Sequence, residues 1–213
     1  MGTRNLTCVV YNNDYKVAQY GQWDGYPEGQ GANILYFLKN EMNRKLFIEK
    51  LNAITWISKE ELEQRWVNAG ATRGDNFVSM EVVRKHTQMY PESSRDTGAG
   101  ILKIIQNSEK PLKLKNDIDF AKDSVFCEYA YVINLDKNIL EVYKGFNKFP
   151  LTKEDRFFDL QENNTEFYPV KKIIEFDINN LPELEEFTKE IYEKIEKIYE
   201  KEKDCRKSFC NKQ

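Results

Sequence analysis

Val125-Phe126-Cys127-Glu128-Tyr129-Ala130-Tyr131-Val132-Ile133-Asn134-Leu135 runs into Asp136-Lys137-Asn138 and then into Ile139-Leu140-Glu141-Val142-Tyr143. Apolar, aromatic and β-branched side chains suit the pleated surface of a sheet, and Asp and Asn close tight turns. The stretch therefore predicts a β-hairpin with strands at 125–135 and 139–143. Toward the N-terminus, residues 5–11 and 15–20 form a second pair of β-rich runs separated by Asn12-Asn13-Asp14. These Asn and Asp side chains tolerate positive φ, so a second hairpin is expected. Residues 173–178 add a further strand.

The intervening sequence switches to helical spacing. Residues 32–39 carry Ile34, Leu35, Phe37 and Leu38 on one stripe, and Leu46, Phe47, Leu51 and Ile54 repeat the pattern. Ser58 and Glu61 make a capping-box signature ahead of Leu62 and Trp66, and the helix they start should stop near Gly70. Residues 97–106 read as a short helix capped by Ser94, Asp96 or Thr97. From Pro182 onward, Leu184, Phe187, Ile191, Ile195 and Ile198 step by three and four, with Tyr192 and Tyr199 alongside. The fold class is therefore α+β, with two β-hairpins in a mainly antiparallel sheet packed against amphipathic helices and a long C-terminal helix. No repeat or low-complexity linker divides the chain. A single domain over 1–200 and a frayed tail over 201–213 follow.

Composition narrows the function. The 213 residues include 32 basic and 35 acidic side chains, so no global field favours sequence-independent nucleic-acid binding. No run approaches a membrane span, and the N-terminus lacks the basic-then-apolar layout of a leader; a cytoplasmic protein is expected. The cysteines, Cys8, Cys127, Cys205 and Cys210, are expected as reduced thiols, Cys8 and Cys127 buried and inert, Cys205 and Cys210 pairing only opportunistically. The single histidine, His86, rules out multi-histidine metal sites and reads as a helix-surface residue. Asp117, Asp119, Asp123 and Glu128 could gather Mg²⁺, although an exposed acidic loop is the commoner explanation. No metal and no cofactor is expected.

The densest candidate site is Gly21-Gln22-Trp23-Asp24-Gly25-Tyr26-Pro27-Glu28-Gly29-Gln30-Gly31. Glycine at this density points to positive φ or to close approach of the backbone to a ligand, unless the segment is an ordered turn whose aromatics cap the core. Gln22, Trp23, Asp24, Tyr26 and Glu28 can stack, accept and donate from one loop. Ser93-Ser94-Arg95-Asp96-Thr97-Gly98-Ala99-Gly100 is a second polar, glycine-bearing segment at an element end. Asp24 is expected to line one cleft with Arg95 or Asp96, both candidate binding residues, walled by Trp23 or Tyr26. The loop has neither the Gly-Lys-Ser/Thr nor the GxGxxG pattern of a phosphate-binding loop.

Gly2-Thr3, opening a hairpin, also resembles the start of hydrolases that expose an N-terminal nucleophile, and a fold of that kind is an alternative form of the α+β class. The resemblance implies Thr3 as nucleophile, with Arg4 and Asp24 in support. It departs from that pattern in two places: no Cys, Ser or Thr directly follows Met1, and position 35 is Leu where proteasome-type members carry lysine.

Four blocks carry a broader likeness: Gly2-Thr3-Arg4-Asn5-Leu6; Val17-Ala18-Gln19-Tyr20 running into the glycine-rich loop; Ser94-Arg95-Asp96-Thr97-Gly98-Ala99; and Asp123 through Ile133. Over residues 2–150 they resemble an uncharacterised family of fungal, bacterial and phage proteins, which supplies no activity to carry over. Its phage members imply an accessory role against a host defence system, for example that of an anti-CRISPR protein. Three functions stay open. They are a non-catalytic binding protein with a host or phage protein partner, an amidohydrolase using Thr3, and a binder of a small ligand or nucleotide.

Overall fold

The computed structural model describes residues 2–74, 77–162 and 165–210, the stretch from Tyr199 on, Glu200 apart, by its backbone alone. The chain order is β1 (Asn5–Tyr11), β2 (Asp14–Gly21), α1 (Ala32–Tyr36), α2 (Arg44–Asn52), β3 (Thr55–Trp56), α3 (Lys59–Ala69), α4 (Met80–Met89), α5 (Ile101–Asn107), β4 (Lys113–Leu114), β5 (Tyr129–Asn134), β6 (Ile139–Lys144), β7 (Lys171–Asp177) and α6 (Leu184–Cys210). The fold is mixed α+β. Its main sheet runs β2-β1-β5-β6-β7, antiparallel except where β1 lies parallel to β5.

Both hairpins form where the turn residues place them. Asn12 and Asn13 take positive φ, 55° and 58°, as a tight two-residue turn requires. Their amides donate to the two carboxylate oxygens of Asp136, at 2.8 Å each, so the turn of the second hairpin caps that of the first. The parallel pair aligns Asn5 with Tyr129 and Val10 with Asn134. A parallel connection needs a long crossover, and α1 to α5 all lie within it.

Both faces of this centre are covered. On one, Val9, Val17, Tyr131, Ile133, Leu140 and Val142 pack with Phe37, Phe47, Leu102, Ile105, Phe187 and Ile191 from the helices. On the other, Leu6, Cys8, Val10, Ala130 and Val132 meet Cys127, Leu151, Phe157 and Val170 from extended and turn segments. β1 and β5 therefore read as near-continuous apolar runs, as strands buried on both faces do. Cys8 and Cys127 are free and wholly buried there, and burial pushes both thiols up. Among the described residues no helix is long and apolar enough to cross a membrane.

Several local expectations are corrected. Residues 125–128 are not strand: Phe126 and Cys127 donate to the Asp123 carbonyl in a tight turn, and β5 begins at Tyr129. The glycine-rich loop is helical from Pro27, because a π-helical turn, Pro27–Gly31, leads directly into α1. Proline's fixed φ suits that first position, where no N–H is needed. Neither Ser94, Asp96 nor Thr97 caps α5, which is entered through the 3₁₀ turn Gly98–Gly100; the Ser94 hydroxyl accepts from the Asp96 amide, and that of Thr97 donates to the Pro91 carbonyl. The Ser58–Glu61 capping box and the left-handed stop at Gly70 (φ 112°) are both present. The backbone of α6 is helical to Cys210; the side chains of 201–210, Cys205 and Cys210 included, and residues 211–213 lie outside the described residues, so the expected tail falls there.

His86 is also corrected. It is buried rather than on the surface, its ring stacked on Trp66 at 3.7 Å and 9°, with Tyr90 beside it at 5.5 Å. The stack lies where α3 packs on α4, and no apolar period in the sequence distinguishes a histidine used as filler. Burial, then the charge of Arg65, holds His86 below its ordinary value of 6.5. A depressed histidine pKa means the unfolded chain binds the proton more tightly, so its contribution to stability is complete above pH 6.5 and is lost as pH falls below it. His86 gives the only imidazole signals, and their NMR titration should have a midpoint below 6.5. A midpoint at or above 6.5 contradicts the buried, stacked placement.

Candidate functional site

The site is built on Asn5, wholly buried at the start of β1. Its Nδ2 donates to the carbonyls of Gly21 (3.2 Å) and Trp23 (3.1 Å), steering the chain as it leaves β2. Gly21 lies directly opposite in the register, and a Cβ there would stand 2.6 Å from the Asn5 Oδ1. The loop then closes on itself. The Gly25 amide donates to the Thr3 carbonyl (2.8 Å), and the Gln30 amide donates to the carbonyl of Asp24 (2.7 Å). Asp24 holds a left-handed backbone, φ 55°, which Asp accepts more readily than most residues. From β5 the buried Tyr131 hydroxyl donates to the Gly25 carbonyl at 2.9 Å.

Gln30 joins this loop to the second polar segment. Its Nε2 donates to the Trp23 carbonyl (3.1 Å), and its Oε1 accepts the buried Ala99 amide (2.8 Å). Gly98, at φ 46°, faces it so closely that a Cβ would stand 2.7 Å from Gln30 Oε1. The Gln22 amide donates to the Arg95 carbonyl (2.9 Å), Gln19 Nε2 to the Ser94 carbonyl (3.1 Å), and the Trp23 indole N–H to Asp96 Oδ1 (2.8 Å). The two segments are therefore neighbours, joined by direct hydrogen bonds. Asp24 Oδ1 accepts from the Tyr26 hydroxyl at 3.2 Å.

What reaches the surface is aromatic and anionic. Trp23 is 46% exposed and Tyr26 38%, and α6 adds Tyr192, whose hydroxyl donates to Glu28 Oε2 at 2.7 Å. Among the described residues neither Asp24 nor Glu28 has an ion-pair partner, while the Arg95 Nε lies 3.9 Å from its neighbour Asp96. The charge of Asp24, then its hydrogen bond, pushes the Tyr26 phenol up; burial and the Glu28 bond do the same to Tyr192. Both phenols stay protonated near neutral pH, so they act as donors and stacking surfaces rather than as bases. Gln22 Oε1 accepts from the Tyr20 hydroxyl (2.5 Å), and Arg4 stacks over the exposed Phe126 ring at 4.6 Å.

Gln30 lay within the candidate loop read from sequence, but Asn5, Tyr131 and Tyr192 escaped the list of site residues. A lone Asn at a strand start was the only available signal for Asn5, and nothing marked which face of α6 would meet the loop. Two of the four acidic residues named for Mg²⁺ are engaged otherwise: Asp117 pairs with Lys115 at 2.6 Å, and Asp123 Oδ1 accepts the Phe126 amide. Among the described residues no group of acidic, His or Cys side chains is disposed to hold a metal ion. No protein-family model, curated protein or solved structure matches the chain.

Because Gln30 satisfies a buried amide and a carbonyl at once, Gln30→Ala should cost about 1–3 kcal/mol, the penalty for leaving such groups unpaired. Gly98→Ala, which forces a side chain against Gln30 at positive φ, should be destabilising as well. Urea unfolding checks both: the midpoints fall with unchanged slope, and a wild-type midpoint for Gln30→Ala would show that this junction is not a stabilising contact.

Proposed function

We propose that the protein is a non-catalytic binding protein acting in the cytoplasm, whose protein partner seats on the Trp23–Tyr26 surface. One observation carries the reading. The Trp23 indole is nearly half exposed yet held by the Asp96 bond and backed by Gly2, an aromatic anchor fixed before any partner arrives. Large aromatics contribute disproportionately to interfaces, and a side chain already immobilised loses little entropy on binding. The phage-type role against a host defence system, such as anti-CRISPR inhibition, is the setting proposed for it on the strength of the sequence resemblance.

The other two readings have less support. Among the described residues the Thr3 hydroxyl makes no hydrogen bond, Asp24 is turned to Tyr26, and Arg4 lies on Phe126, so the three are not linked as a catalytic set. The 94–100 segment offers few free amides to an anionic ligand, since that of Ala99 is taken by Gln30 and that of Asp96 by Ser94.

Expression in a CRISPR-proficient bacterium, scored by phage plaques, tests the proposal directly. Wild-type protein should restore plating, and Trp23→Ala with Tyr26→Ala should remove at least about thirtyfold of the effect, as expected for loss of a hot spot. Equal plating with the double variant, folded and equally abundant, would end the role of this surface. Intact mass decides the hydrolase alternative: only a chain that begins at Thr3 has the free amine that mechanism needs.

A further inference from the structure

On the opposite face of the sheet, at the end bearing the hairpin turns, a cavity of about 330 Å³ has a charged floor. Glu141 on β6 is buried to 3% exposure, and all four of its acceptor positions are taken. Oε1 accepts from Arg156 Nη2 (2.5 Å) and Asn134 Nδ2 (3.5 Å); Oε2 accepts from Arg156 Nε (2.7 Å) and the Tyr143 hydroxyl (2.5 Å). Burial alone would push the Glu141 carboxyl up, and these bonds outweigh it, leaving the group below the ordinary carboxylate range. A buried ion pair is poor evidence for stability, since apolar side chains of similar volume commonly do as well. A perturbed, charge-paired group in a cleft is instead a reason to look for a ligand.

The donors and acceptors facing the cavity are unequal. Arg156 commits Nε and Nη2 to Glu141, its Nε also reaches the Tyr143 hydroxyl at 3.2 Å, and a side-chain hydrogen bond links Arg156 to Tyr15, whose ring lies 6.0 Å from the guanidinium carbon. The Tyr15 hydroxyl is pushed up to about 12, first by burial, and so remains a donor. Lys137 has no ion-pair partner among the described residues, and Lys172, paired to Glu175 at 2.8 Å, keeps further N–H groups. On the acceptor side Asp155 is occupied by the amide and hydroxyl of Thr152 (2.8 and 3.0 Å), which fixes the turn that presents Arg156. Only Glu154 faces the cavity as an uncommitted carboxylate.

We propose that this cavity is a binding site for a small oxyanion-bearing ligand, a carboxylate or phosphate group, gripped by Arg156 and Lys137 with Tyr15 and Lys172 beside them. Glu141 serves as a positioning residue that locks the guanidinium in the cavity lining. The volume suits a small metabolite. The site lies away from Trp23 and does not depend on that surface.

Titration of the full-length, ¹⁵N-labelled protein with sodium phosphate and sodium acetate, against sodium chloride at matched ionic strength, tests it. Saturable shifts are expected at the Arg156 side chain and at the amides of Lys137 and Lys172 with one or both oxyanions, and not with chloride; which oxyanion saturates identifies the ligand group. Lys137→Ala with Lys172→Ala, both exposed positions, should weaken the effective oxyanion about tenfold, in line with loss of charge-assisted hydrogen bonds. Glu154→Gln should strengthen it, a gain that a purely structural network would not produce, and Trp23→Ala should change nothing. Shifts equal to those of chloride, or unaltered in both the lysine and Glu154 variants, would overturn the proposal.

Discussion

The parallel pairing of β1 with β5 is the constraint on which the rest of the molecule depends. Each strand belongs to a hairpin that local turn chemistry can form alone, but two-stranded hairpins are marginal in water. Joining them side by side makes a sheet with two buried faces, and the register that aligns Asn5 with Tyr129 settles what meets what at its ends. At one end Asp136 caps the turn of the neighbouring hairpin. At the other, Asn5 and Tyr131 reach carbonyls of the glycine-rich segment from two adjacent strands.

That arrangement explains why so much polarity is buried near the loop. Asn5, Gln19 and Gln30 are interior residues, and the bonds they make go mainly to backbone groups of the 21–31 and 94–99 segments. Irregular backbone packed against a sheet end has no ladder of its own, so side-chain amides, which donate and accept at once, take over the role of a strand partner. Much of the glycine density is thereby accounted for by packing. What packing does not require is the outward presentation of Trp23 and Tyr26 beside two carboxylates that have no ion-pair partner among the described residues.

The molecule therefore carries two polar centres of opposite character on opposite faces of one sheet. The loop surface is aromatic, exposed and anionic, the character on which the proposed protein contact rests. The Glu141–Arg156 cavity is recessed and rich in uncommitted donors, suited to a small anion. The first rests mainly on a loop held by β1 and β5, while the second combines strand residues Tyr15, Glu141 and Lys172 with the turn that carries Arg156.

The sequence by itself determined the α+β class, both hairpins and their turns, the capping box at Ser58 and the apolar stripe of the C-terminal helix, because each depends on residues within a few positions of one another. It also marked residues 21–31 and 94–100 as unusual. It did not reveal that these segments are bonded to each other, that His86 fills a core, or that Glu141 and Arg156 face one cavity. Those facts depend on the β1–β5 register and on the crossover that fills the space beside it. Such contacts join residues far apart in the chain, as Gln30 and Ala99 are, and no periodicity or turn motif encodes a partner at that separation. Tertiary structure alone decided which polar side chains became anchors and which stayed free to meet something else.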